Sequence, residues 1–170
     1  MSSPPKRKRK TGRASQRSAA STPSRKTVHL VKLAVGIRDV EHLATLQRQR
    51  RAAMRKAGKR PLSRHFTRNR PRRADEIVAG GSIYWVIRGA IRVRQRILAI
   101  KPGVNAEGAS RAEIQLHSAL VRVAPRPLRA FQGWRYLEAV DAPPDLVDLG
   151  GDLAEMPAKM AEELRVLGLL

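Results

Sequence analysis

The strongest hydrophobic pattern in the chain is Ile83-Tyr84-Trp85-Val86-Ile87, an unbroken β-branched and aromatic run that predicts a strand of the buried type. After Arg88-Gly89 the pattern becomes an alternation: Ile91, Val93 and Ile97 on one side, Arg92, Arg94 and Arg96 on the other. Lys101-Pro102-Gly103 predicts a turn, and residues 104–109 a loop. Upstream, the aliphatic stretch 28–35, bounded by Gly36, reads as a first strand. Asp39 is placed to cap a helix with Glu41 in its first turn, where an acid complements the exposed N–H groups. Val40, Leu43, Leu46, Ala53, Met54 and Ala57 form its apolar stripe; Arg48, Arg50, Arg51, Arg55 and Lys56 crowd its second half; Gly58 and Pro61 end it.

The middle of the chain is more broken. Ser63–Asn69 reads as a short strand halted by Arg70-Pro71, and Arg72–Val78 as one or two helical turns ended by Gly80-Gly81. Further short strands are expected at 112–116 and 120–123, then an extended corner at Pro125-Arg126-Pro127 and a last strand at Phe131–Leu137 interrupted by Gly133. Pro157 suits the first position of a C-terminal helix on which Met160, Leu164 and Leu167 share a face. Short strands around one long early helix imply an α+β fold, and the spacing of the later strands suggests a small, partly closed mixed β-barrel. The expected organisation is a disordered basic arm over 1–26, an α+β core over 27–140, and an acidic linker with a C-terminal helix over 141–170.

Charge changes the picture more than composition does. The net charge is +21 over 170 residues. Residues 1–27 carry nine Lys or Arg and no acid, residues 28–74 fourteen against two, and residues 75–137 ten against four. Residues 138–170 reverse the sign, with two basic residues against eight acidic. A field so concentrated attracts polyanions and gives salt-sensitive affinity through counterion release, whereas charge needed only for solubility would be spread. There is no cysteine, so neither a disulfide framework nor a thiolate metal site can form, and the four histidines show no metal-ligand spacing. No cofactor is implied. No run approaches about 18 apolar residues, and the N-terminus lacks the apolar segment of a secretory signal, so a cytoplasmic setting is expected.

Three clusters carry candidate chemistry. Residues 64–73 hold five arginines, with His65, Phe66, Thr67 and Asn69 among them. Guanidinium forks match phosphate geometry and stack on bases, so Arg68, Asn69, Arg70, Arg72 and Arg73 are candidate nucleic-acid contacts; the plainer reading is a solvated face. Arg92, Arg94 and Arg96 stand at period two on one strand face and repel one another unless an anion screens them. A groove tracking a nucleic-acid backbone would do so, but so would Asp75, Glu76, Glu113 or the acidic C-terminal segment. Tyr84, Trp85, Gln132, Trp134 and Arg135 could make a stacking platform, although each aromatic taken singly is more ordinary as core. Trp134 and Tyr136 share a face, with Arg135 opposite. Gly80-Gly81 and Gly133 permit close backbone approach or simply turns. Catalytic patterns are thin: Thr67, Asp75, Glu76 and Lys101 could be assembled into an acid/base set, but there is no phosphate-cradling loop, nucleophile elbow or His-Glu metal helix.

The segment from Arg68 through Ala74-Asp75-Glu76-Ile77-Val78 to Gly80-Gly81-Ser82-Ile83-Tyr84-Trp85-Val86-Ile87-Arg88-Gly89 resembles an uncharacterised alphaproteobacterial family of small proteins, a domain of unknown function. The likeness continues through Arg94-Gln95-Arg96-Ile97-Leu98, Phe131-Gln132-Gly133-Trp134-Arg135-Tyr136-Leu137 and Leu164–Leu170, and covers about residues 27–170. The resemblance implies a bacterial cytosolic setting, which weakens a nuclear-localisation reading of Lys6–Lys10; it brings no activity with it. The basic arm departs from the family's usual start close to the first strand. A looser likeness to PUA-like RNA-binding barrels rests on strand order and the final Gly-Trp strand. The function expected is nucleic-acid binding, RNA favoured over DNA, through an arginine-lined groove and the basic arm. Its rivals are a small hydrolase or modifying enzyme acting on a nucleotide or modified base, with Thr67 and Glu76 as acid/base groups, and an interaction module for an acidic protein partner. The absence of a basic amphipathic helix with bulky anchors argues against a lipid surface.

Overall fold

The computed structural model describes residues 27–149. The expected basic arm over 1–26 and the helix after Pro157 lie outside the described residues. Within them the order is β1 (Val28–Leu33), α1 (Val40–Lys56), β2 (Ser63–Thr67), α2 (Ala74–Val78), β3 (Ser82–Ile87), β4 (Ala90–Val104), β5 (Ser110–Leu116), β6 (Val121–Pro127) and β7 (Trp134–Glu138). Single-turn 3₁₀ segments follow at Ala139–Asp141 and Leu146–Leu149. Local chemistry sets the boundaries of α1: Asp39 Oδ1 accepts the His42 N–H at 2.7 Å, and Gly58 takes the left-handed conformation (φ 66°) that follows the last turn.

All seven strands join one mixed sheet in the order β2-β5-β4-β3-β1-β7, with β6 paired to β4. β1 and β3 run parallel, with Lys32 opposite Trp85; every other pairing is antiparallel. The long β4 pairs β3 and β6 through its first half and β5 through its second. The fold is therefore α+β, but the sheet is open: no ladder joins its end strands β2 and β7, so the expected barrel does not form. The sheet nevertheless coils, bringing His65 of β2 edge-on to Trp85 of β3 with ring centroids 5.3 Å apart. At the other end, side chains of β7 reach the loop after β2: Trp134 Nε1 donates to the Asn69 carbonyl at 3.1 Å.

Two cores form, one on each face of the sheet. Beneath the helices, Val40 and Leu43 of α1 and Ile77 of α2 pack on Leu30, Ile83, Trp85, Val93, Ile97 and Ile114. On the opposite face, Val31, Tyr84, Val86, Ile91 and Val123 are covered by Leu128, Phe131 and Leu137. All six residues of β3 are consequently buried. Each large apolar side chain so buried stabilises the fold by about 1.5–3 kcal/mol. Gly81 has no alternative. A Cβ there would lie 2.3 Å from the Val28 carbonyl oxygen and 2.5 Å from that of Ile77, where α2 closes onto β1.

Two features of β4 differ from the pattern in the sequence. Ile91 opposes Val86 and Val93 opposes Trp85, so Arg92 is an extra residue, a β-bulge. Ile91 and Val93 therefore serve opposite cores rather than one face. Lys101-Pro102-Gly103 does not turn. It continues β4, opposing Glu113, Ala112 and Arg111, and the reversal falls at Asn105–Ala109. There Asn105 Oδ1 accepts the N–H groups of Glu107 and Ala109. Pro102 is tolerated because this half of β4 is paired to β5 along one edge alone, so a missing N–H need not break a ladder. Pro125-Arg126-Pro127 likewise belongs to β6, opposing Ala90 and Ile91. Residues 142–146 pack against β6: Ala124 N–H donates to the Pro144 carbonyl, and Leu146 is buried.

Candidate nucleic-acid interface

The loop between β2 and α2 presents Arg68, Asn69, Arg70 and Arg72 at the surface, while Pro71 is buried and anchors it. β7 lies alongside. Gly133, at φ 75°, turns the chain into that strand, and Trp134 and Tyr136 then project on one face with ring centroids 5.1 Å apart in an edge-on arrangement. Two hydrogen bonds tie the aromatic pair to the arginine loop: Trp134 Nε1 to the Asn69 carbonyl, and Arg73 N–H to the Tyr136 hydroxyl at 3.2 Å. The result is a groove of about 620 Å³ lined by Arg68, Asn69, Arg70, Arg72, Ser110, Trp134 and Tyr136. Three guanidinium groups and two aromatic rings line it, and no acidic side chain does.

Arg73 sits beside this groove but is engaged elsewhere. Its guanidinium donates to both oxygens of Glu76, at 2.9 and 2.7 Å, and to Glu138 at 2.6 Å. The same contacts, Glu76 foremost, raise the Arg73 pKa, and the Arg73 bond holds the Glu76 carboxyl below its ordinary range. Glu76 is thus an ion-pair partner, and the Thr67 hydroxyl donates to the Asn69 carbonyl at 2.6 Å. Neither is poised as an acid or base for the other.

The arginine row of β4 is divided. Arg94 makes a two-point pair with Asp145, Nε to Oδ1 at 2.6 Å and Nη2 to Oδ2 at 2.5 Å, and its Nη1 lies 3.3 Å from Ser82 Oγ. The acidic segment after β7 therefore covers this position, the second of the two readings open from sequence. Arg92, at the bulge, donates Nε to the Ile87 carbonyl at 3.2 Å, and Arg96 is exposed. None of the three lines the groove beside β7.

Tyr84 and Trp85 are 4% and 5% exposed, because both faces of β3 are covered, and neither lines the groove beside β7. Burial pushes the Tyr84 phenol up to about 12. Gln132 and Arg135 are exposed, with the Arg135 guanidinium 4.6 Å from the centre of the Phe131 ring, on the side away from Trp134. Of the residues singled out from sequence, the groove thus unites Arg68, Asn69, Arg70, Arg72 and Trp134. It adds Tyr136, which period-two alternation already placed beside Trp134, and Ser110, which only the turn position brings near. Asp145 carried no signal of its own beyond the acidic composition of its segment.

The family model described as a protein of unknown function (DUF1489) matches residues 30–170, taking in the arginine loop, the β3–β4 hairpin and β7 together. The chain belongs to that family. No curated protein and no solved structure matches it. Family membership therefore supplies a shared chain but no activity. Among the described residues, no helix is long and apolar enough to cross a membrane.

Proposed function

We propose that this protein binds single-stranded nucleic acid, RNA in preference to DNA, along the groove between the β2–α2 loop and β7. The observation that carries the reading is the convergence of Arg68, Arg70 and Arg72 with Trp134 and Tyr136, residues more than sixty positions apart in the chain, in a groove without a carboxylate. Guanidinium groups supply backbone attraction and rings supply stacking, the pairing used by proteins that hold unpaired strands. The chain-wide charge of +21 adds a long-range field that speeds encounter. Arg73 and Arg94 contribute to positioning rather than to contact, since carboxylates already hold them.

The test compares fluorescence anisotropy of a labelled single-stranded RNA, its DNA counterpart and the matching duplex, with wild type and Trp134→Ala. Loss of one stacking ring removes about 1–3 kcal/mol, a fall of roughly five- to 150-fold for the single strands, and much less for the duplex. RNA should bind more tightly than DNA of the same sequence. An equal loss for single strand and duplex would refute stacking by Trp134.

A further inference from the structure

A second cavity, of about 380 Å³, lies under the N-terminal part of α1, between the end of β1 and the start of β2. Its volume falls where small-molecule sites do, at about 300–1,000 Å³. Leu43 and Leu46 of α1 form an apolar wall and Trp85 contributes its indole. Lys32, Arg50 and Arg64 are the charged residues of the lining, and no acidic side chain is among them. Arg64 has Glu113 3.5 Å away, on the neighbouring strand. Arg50 is exposed on α1 and Lys32 stands opposite Trp85, its Nζ donating to the Gly133 carbonyl at 3.1 Å.

The polar wall of this cavity is built from connected side chains. Gln47 and Gln95 exchange amide hydrogen bonds at 3.0 and 2.8 Å, Ser63 donates to Gln47, Arg51 to Ser63, and Trp85 Nε1 to Gln95 at 3.3 Å. Gln95 Nε2 also donates to the His117 carbonyl at 2.6 Å, and the network so completed holds the wall rigid. His65 is the exception: its Nε2 is shielded from solvent and has no hydrogen-bond partner. Burial, then Lys32 and Arg50, push its pKa down to about 4, so the ring is neutral near pH 7 and both cations are close enough to act on it. Native structures seldom leave a buried polar atom without a partner.

We propose that this cavity binds a small organic anion, its apolar body against Leu43, Leu46 and Trp85 and its charged group, a carboxylate or a phosphate, between Lys32 and Arg50. The uniform sign of the charged lining selects against cations. The site is separate from the groove beside β7 and stands whether or not nucleic acid binds there.

Nuclear magnetic resonance of the full chain tests this through the Trp85 indole N–H and the His65 ring, titrated with octanoate, benzoate and AMP as separate arms. Octanol, benzyl alcohol and adenosine serve as the neutral counterparts, and inorganic phosphate as the anionic group alone. The expected result is a saturable shift of both signals with at least one organic anion, binding at least about tenfold tighter than its neutral counterpart. Arg50→Gln should weaken that binding by about tenfold, since it removes a charge-assisted contact. Ala34→Phe, which fills the cavity, should abolish it; if that variant does not fold, Arg50→Gln alone decides. A preference for the carboxylates or for AMP identifies which anionic group is accommodated. No saturable shift with any organic anion overturns the proposal, as does a result in which every organic anion binds no more tightly than its neutral counterpart, or inorganic phosphate reproducing the whole effect.

Discussion

Replacing Arg68, Arg70 and Arg72 together by Gln addresses the groove directly, because these three line it while Arg73 and Arg94 are held by carboxylates. Each phosphate neutralised on a single strand contributes about 0.7 to the slope of log affinity against log salt, so three contacts amount to about 2. Between about 50 and 200 mM salt, a slope of that size corresponds to roughly twentyfold in affinity. The triple variant should therefore bind a single-stranded RNA more weakly at low salt and lose affinity less steeply as salt rises, its slope shallower by about 2. The measurement is anisotropy of a labelled oligonucleotide at four or five salt concentrations, on the full chain. The nine cationic residues of 1–27 are kept, so residual salt-dependent binding is expected and does not count against the groove. A triple variant with an unchanged slope would refute phosphate contact at this loop, even if its affinity fell, because a change in folding or stacking alters affinity without removing counterion release.

Two further outcomes follow from the buried and ion-paired groups. Asp145→Ala leaves the half-buried Arg94 guanidinium without its carboxylate and should cost about 2–3 kcal/mol in urea denaturation, whereas the double change Arg94→Leu with Asp145→Leu should recover most of it; a double variant as unstable as the single would refute this account. His65, with a folded-state pKa near 4 against 6.5 unfolded, contributes stability that is fully present above pH 6.5 and is lost as pH falls toward 4; the integrated loss is about 3 kcal/mol, and His65→Leu should flatten the stability profile across that window. His29 acts in the same direction, since burial foremost and then Arg94 depress its pKa, so some slope should remain in the His65 variant.

What was legible in the sequence is what depends on neighbours a few residues away. Asp39 caps α1, Gly58 ends it, and the run Ile83–Ile87 lies in a strand buried on both faces, because capping, left-handed glycine and residue type are local matters. The α+β class and the shared face of Trp134 and Tyr136 came the same way, from periodicity. The sequence also located the arginine loop and its excess of charge. It could not say which of those charges remain available. Arg73 is held partly by Glu138, and Arg94 by Asp145, partners 65 and 51 residues distant whose approach depends on how β7 and the segment after it lie on the sheet. Register was hidden for the same reason. The bulges at Arg92 and Leu98 arise from pairing with two different neighbours of β4, and one extra residue moves every later side chain to the other face. The openness of the sheet and the cavity under α1 are likewise properties of how far the sheet coils. Residue patterns determined the elements and the sign of the surface; the pairing of distant strands decided which arginines and rings face an open space together.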